Sequence, residues 1–366
     1  MLNEQRPVIS IIVIVDDGNE EAFHCFHSIM EQNYTNYEVL IVDVNASAQV
    51  RSFFDEMKAR TTFPIKTIEV GKSDSRVKAL NEAMSFAEGE YVLFLDPSDT
   101  LRNDALDILF CAISQNKGDL AYSSYNEGYF YLGRKHSRKK GVRKVQQAVS
   151  AKDSPWVLRD AGYAATGKLY SKNLIDSNKI QFKEEFGAFA EYVFLKELQI
   201  LSQATVSDIH PVYNRRVHAK AEDLDFMVGE QALVFPDVME YLIDECACNG
   251  LQAIARKELF GSVKQLFNRF AFLMLSPELH KYGQPVFGMY YDYIRENDPS
   301  WRSTLCVASF YRGVKGKIQR RIVPRKETLN SLLFDDVAKL NRSLAPKRKG
   351  TFFVRHKRDK NLSSKF

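Results

Sequence analysis

Glu90-Tyr91-Val92-Leu93-Phe94-Leu95-Asp96-Pro97-Ser98-Asp99 decides the fold of this chain. From Tyr91 to Leu95 every residue is aromatic or aliphatic, the composition of a buried strand. The run then stops at two carboxylates around a Pro-Ser pair. In an α/β protein the C-terminal ends of strands border the crevice where ligands bind. Carboxylates there can hold a divalent cation, and the cation a diphosphate. The same four residues also read as a turn leading to a helix near Asp104, since Asp, Pro and Ser form turns readily.

The flanking sequence separates these readings. Pro7 to Val15 is a continuous apolar run ending in Asp16-Asp17-Gly18-Asn19, and Tyr37 to Asp43 is a second run of the same kind. Both read as central parallel strands buried on two faces. The spacing predicts helices from Asn19 to about Met30, from Gln49 to Lys58 and from Arg76 to Ala87, with a short strand over Ile65–Val70. Strand and helix alternate on short connections, which predicts a parallel α/β sheet with right-handed crossovers. Asp16, Asp43 and Asp96 each end a strand, so all three fall on one edge of that sheet. No G-x-G-x-x-G follows the first strand and no G-x-x-x-x-G-K-[ST] occurs, so a nucleotide at this edge is held by side chains or a metal rather than a glycine cradle.

The chain has 366 residues, 45% of them hydrophobic and 27% charged, which is globular composition with room for two domains. No run approaches the roughly 18 apolar residues of a membrane span. The N-terminal residues lack a signal-peptide core, so a cytoplasmic protein is expected. The five cysteines are scattered and odd in number, which suits reduced thiols. The formal charge of +5 hides a split: residues 312–366 carry +13 and residues 1–311 carry −8. A basic tail suits an anionic polymer or the inner face of a membrane, and it also reads as a solvated terminus. The sequence shows no nucleic-acid-binding pattern.

Several short motifs now line up in order. Pro7-Val8-Ile9-Ser10-Ile11-Ile12, Ser28-Ile29-Met30-Glu31-Gln32-Asn33-Tyr34, Tyr37 to Asp43, Ala79-Leu80-Asn81-Glu82-Ala83 and Ala87 to Asp96 resemble the opening of family 2 glycosyltransferases. Thr166-Gly167-Lys168-Leu169-Tyr170 resembles the segment leading to the acceptor side, and Pro211 to His218 the close of the catalytic domain. The resemblance covers roughly residues 7 to 220 and extends to bacterial enzymes of cell-surface polysaccharide and wall teichoic acid assembly. It implies a GT-A fold, an α/β Rossmann-like sheet, and inverting transfer of sugar from a nucleotide-sugar, here a UDP-sugar, usually with Mg²⁺ or Mn²⁺.

The family's functional positions carry over unevenly. Asp16, Asp43, Asn81 and Asp96 take the donor-binding positions, and Asp96, Asp99 and His218 those of the metal. Where the family has two adjacent acids after its second strand, this chain has Asp43-Val44. Where it has Asp-x-Asp-Asp, this chain has Asp96-Pro97-Ser98-Asp99. The catalytic base of the family lies in a Glu-Asp pair, and here the pair is Ala190-Glu191, so Glu191 takes that role. Base reader, metal ligand and catalytic base have all drifted in one direction. Two readings follow: a divergent enzyme acting on a cell-surface polymer or lipid-linked acceptor, or a degenerate assembly module that binds an anionic polymer or membrane surface.

Arg134 to Lys144 is a basic run that reads as a loop able to grip an anionic acceptor. Beyond Asp223 the pattern turns helical, over Phe226–Glu245, Gln252–Leu275 and Pro285–Arg295. The expected organisation is a GT-A-like domain over 1–220, a helical module over 221–311 that packs on it, oligomerises or rests on a membrane, and a basic tail over 312–366.

Overall fold

The computed structural model describes residues 7–15, 20–70, 75–131, 134–145, 147–217, 233–251, 255–263, 289 and 292–297. The chain divides into two units, Met1–Phe226 with Val234–Ser262, and Met227–Leu233 with Val263–Phe366. All the elements below belong to the first. The basic tail, Asp16 and His218 lie outside the described residues.

The expected strands form as read. β1 (Ile9–Val15) and β2 (Tyr37–Asp43) are buried at every position. β3 (Ile65–Glu69) and β4 (Tyr91–Leu95) join them in the parallel order β3-β2-β1-β4. Side chains alternate across the sheet. Ile9, Ile11, Val13 and Val15 pack with Phe26 of α1 (Glu20–Met30) and with Val50 and Phe54 of α2 (Ala48–Arg60). Ile12 and Ile14 face the other way, with Leu80 and Met84 of α3 (Arg76–Phe86). Ser47 and Ser75 cap α2 and α3 by accepting from the backbone N–H three residues on, which satisfies donors the helix leaves open.

The second half of the sheet is mixed. β5 (Thr100–Leu101), β6 (Leu120–Tyr131), β7 (Arg134–Lys140), β8 (Leu169–Ser171) and β9 (Thr205–Val217) extend it in the order β4-β8-β6-β9-β5, with β7 beside β6. β8 is antiparallel to both β4 and β6, whereas β6 and β9 run parallel. The basic run expected as a loop is therefore β7 over most of its length, paired antiparallel with β6 from Tyr125↔Lys140 to Tyr131↔Arg134. Backbone pairing carries this strand, and Glu127 answers Lys140 at 2.9 Å. Charges along an edge strand also discourage pairing with another chain.

α4 (Ala105–Gln115) and α6 (Lys172–Ser177) pack on the sheet, and α5 (Val157–Asp160) packs on the helix that follows Phe189. A 3₁₀ turn over Glu184–Phe189 leads into α7 (Ala190–Leu201), and Gly187 at its centre has φ +47°. α8 (Phe235–Cys248) packs Phe235 on Phe189 and Tyr241 on Phe186. No helix among the described residues is long and apolar enough to cross a membrane.

Candidate active site

Four elements converge on the C-terminal edge of the parallel strands. β4 delivers Asp96, α3 opens there with Arg76, the segment before β8 supplies Thr166, and α7 begins with Glu191. A small cleft at this edge is lined by Ile12, Ile14, Arg76, Phe94, Thr166 and Glu191, among others.

The Asp96–Asp99 turn is internally tied. Asp96 Oδ1 accepts from Ser98 N at 2.9 Å and from Ser98 Oγ at 2.7 Å. Its Oδ2 lies 3.6 Å from Arg76 Nη2. Burial works to raise the Asp96 pKa, but Arg76, the two Ser98 hydrogen bonds and Arg215 together hold it below its ordinary value. Asp99 N–H donates to Asp96 O at 2.9 Å, and Asp99 Oδ1 accepts from Arg216 N at 2.8 Å. Asp99 is only 1% exposed, and β5 directly after it pairs with Asn214 and Tyr213 of β9. The turn is thus stitched to β9. From below, the Cys25 thiol donates to Asp96 O, and burial keeps that thiol protonated.

Arg76 also reaches Glu191, its Nε lying 3.5 Å from Oε1. One guanidinium therefore stands between the strand-end aspartate and the expected base. Both Asp96 and Glu191 were legible in the sequence. Arg76, Arg215 and Lys168 were not, although Ser75-Arg76 marks the first turn of a helix that starts at this edge.

The other predicted positions are placed as follows. Asp43 ends β2 and is buried, accepting from Ala46 N at 2.8 Å and from Arg51 Nε at 2.6 Å. Val44, where the family resemblance has a second acid, packs against the apolar core. Asn81 uses both ends of its amide on one residue: it donates to Phe182 O at 2.7 Å and accepts from Phe182 N at 2.8 Å. It ties α3 to the segment that leads to Glu191.

Gly167 takes φ +70°, and a Cβ there would fall 2.4 Å from the Tyr213 ring, so only glycine fits. Its N–H donates to Phe94 O at 2.9 Å, which sets the following Lys168 beneath the site. Lys168 Nζ donates to Ala164 O at 2.6 Å and Thr166 O at 3.3 Å. Burial and then Arg215 push its pKa down to about 7, with Glu191 pulling the other way. Between about 7 and the ordinary 10.5, the unfolded chain holds a proton that the folded chain has released. The unfolded state binds more protons in that window, so this group's contribution to stability rises with pH across it and is least below it. Lys168→Met is expected to flatten the rise, by about 1.4 kcal/mol per pH unit at most. Urea midpoints of both proteins from pH 7 to 9 test this, and parallel curves would refute it.

A parallel α/β core with a strand-end aspartate and a facing carboxylate from a helix start defines a GT-A-type glycosyltransferase fold. Residues 10–165 match the model of Glycosyl transferase family 2, which supports a family 2 glycosyltransferase domain over that stretch. The chain is 27% identical over 225 residues to Glycosyltransferase GlyA of Streptococcus pneumoniae, covering 57% of this chain and 30% of that protein. It is 24% identical over 179 residues to the poly(ribitol-phosphate) beta-N-acetylglucosaminyltransferase TarP of Staphylococcus aureus, covering 48% of this chain and 52% of the relative. The chain thus spans about half or less of these two relatives. The crystal structure of S. aureus TarS 1-349 in complex with UDP-GlcNAc superposes with a TM-score of 0.61, at 19% identity over 83% of this chain and 85% of that one. The fold is shared.

Enzymes of this family commonly use a divalent cation. Among the described residues no group of three or more His, Cys, Asp or Glu comes together to hold one. Ser98 stands where the motif usually has an acid and bonds Asp96 Oδ1, Arg76 faces Oδ2, and Asp99 is turned to the β9 backbone. The described residues, as arranged, do not fit a divalent cation at Asp96.

Proposed function

We propose that this chain transfers a sugar from a nucleotide-diphosphate donor, a UDP-sugar, to a hydroxyl of a cell-surface polymer, with inversion. One observation carries the reading: the strand-end Asp96 and Glu191 at the start of α7 stand at one edge of the sheet, joined through Arg76 at 3.6 and 3.5 Å. Asp16 and Asp43 would serve the nucleoside, and Asp96 would accept hydrogen bonds from the sugar hydroxyls. Asn81 would act through the Phe182 backbone, holding the wall of the cleft. Glu191 Oε takes the proton of the acceptor hydroxyl, and that oxygen attacks the anomeric carbon from the face opposite the leaving group. The bond to the diphosphate breaks with its electron pair, and the configuration inverts.

The acceptor side is basic. β7 and the residues after it carry Lys139, Lys140, Arg143 and Lys144, and Arg143 lies over the Trp156 ring at 4.7 Å. The poly(ribitol-phosphate) named for the relatives is the kind of polyanion such a surface suits.

Calorimetric titration of UDP and UDP-GlcNAc into the full chain tests the donor site. Binding of both is expected, that of UDP-GlcNAc weakened about tenfold or more in Asp96→Ala, since hydrogen bonds to charged groups contribute about 1.5–3 kcal/mol. Binding without any sugar transfer would favour the assembly-module reading. Silence with every nucleotide, in a folded protein, would sink the enzyme.

A further inference from the structure

We propose that Arg76 supplies the positive charge that a divalent cation supplies in other members of the family, and that it is the group that meets the donor's diphosphate. The inference rests on the proposed donor site and concerns what holds its anionic part.

Three observations converge. Arg76 is split between two carboxylates, at 3.6 Å from Asp96 and 3.5 Å from Glu191, and makes a bidentate fork with neither. A guanidinium offers five N–H donors in one plane, a shape that matches phosphate oxygens. A diphosphate entering the cleft presents several oxygens in the geometry that a guanidinium fork matches, and would draw the guanidinium to itself. The three groups are also accessible: the side chains of Arg76, Asp96 and Glu191 are 35%, 38% and 31% exposed. A ligand can reach them without opening the core.

The second observation is the chemistry of the Asp96 turn. A cation on Asp96 would sit about 2.0–2.6 Å from a carboxylate oxygen. Arg76 already lies within 3.6 Å of one of those oxygens, and Ser98 donates two hydrogen bonds to the other. A dication there would stand a few ångströms from the Arg76 guanidinium, and two like charges at that range repel strongly outside bulk water.

The third is a second fixed cation. Arg215 lies over the Tyr163 ring at 4.7 Å, and its field acts on Asp96, Asp99 and Lys168. With Arg76, once its guanidinium has turned to the bound diphosphate, it makes the edge of the cleft a place where the charge growing on the leaving group is met by cations in place before the bond breaks. The turn of Arg76 toward the diphosphate also releases Glu191 from its ion pair. The base is then free only once the donor is bound, which orders donor before acceptor. In the step itself the acceptor proton goes to Glu191, the new C–O bond forms, and the electron pair of the broken bond goes to the diphosphate, which Arg76 meets.

The test is titration of UDP, with UDP-GlcNAc alongside, into the full chain in EDTA and again in MnCl₂. The wild type is expected to bind with affinities within about threefold in the two conditions. Arg76→Ala should weaken binding about 10- to 100-fold, and Arg76→Lys, which keeps the charge but loses the fork, should fall between. Lys78→Ala, on the same helix, should bind as the wild type does. Unfolding midpoints of all variants check that each remains folded. Binding that requires Mn²⁺, or that Arg76→Ala leaves unchanged, would overturn the role of Arg76 while leaving the donor site standing. No binding by the wild type in either condition would remove the donor site itself.

Discussion

Glu191→Gln is expected to lower kcat about 10²- to 10⁴-fold, the usual worth of a positioned general base, without loss of UDP affinity. The substitution keeps the shape of the side chain and removes only its ability to take a proton. Glu191 sits in the first turn of α7, where a negative charge is favoured by the helix dipole. Arg76 holds it at 3.5 Å toward the cleft. The measurement is UDP release from UDP-GlcNAc with poly(ribitol-phosphate) as acceptor, with titration of UDP in parallel. Glu184→Gln serves as a control, since Glu184 accepts from the Ser75 hydroxyl at 3.3 Å at the helix cap and takes no part in the step. A Glu191→Gln protein that keeps more than half the turnover would show that the acceptor proton goes elsewhere.

Phe94→Ala is expected to cost about 3–5 kcal/mol, a large part of the 5–15 kcal/mol that holds a domain folded. Phe94 is 2% exposed and meets three aromatic rings: Phe182 at 5.2 Å, Phe194 at 5.6 Å and Tyr170 at 5.9 Å. These come from the segment behind Asn81, from α7 and from β8. Truncation would leave a cavity under the point where every element of the site is anchored, because Phe94 stands two residues before Asp96. Phe94→Leu should cost less, since most of the volume is kept. Urea denaturation monitored by circular dichroism measures both. A cost below about 1 kcal/mol for Phe94→Ala would mean that the aromatic cluster does not hold the cleft together, since core Phe→Ala changes ordinarily exceed that several-fold.

The parallel half of the sheet was legible because its signals are local. Ile9 to Val15 and Tyr37 to Asp43 are unbroken apolar runs, which only strands covered on both faces produce. Helix starts at Ser47 and Ser75 carry their own capping hydroxyls. The second half was not legible, because its strands lack the apolar pattern and take their conformation from the strands they pair with. Tyr122 to Tyr125 is half polar, and Arg134 to Lys140 is nearly all basic and looks like a loop. The first becomes a strand by pairing with β9, some eighty residues on, and the second by folding back on the adjoining end of β6, a pairing that its charged composition does not announce.

The site divides along the same line. Asp96, Asp99 and Glu191 stand out in the sequence because each follows or opens a patterned element. Their chemical roles depend on neighbours the sequence does not announce. Ser98 and Arg76 occupy the two oxygens of Asp96, and Arg216 N takes one oxygen of Asp99. Asn81 is spent on the backbone of Phe182, a hundred residues away.

By itself, then, the sequence determined that a parallel α/β core carries acids to one edge, since burial of alternating faces and short crossovers leave no other place for them. Only the tertiary structure decided which cation stands among those acids. Arg76 is 20 residues before Asp96 and 115 before Glu191, and the three meet because α3 and α7 both begin at the edge where β4 ends. Charge pairing at a distance of a few ångströms is a property of the folded surface, and no periodicity along the chain encodes it.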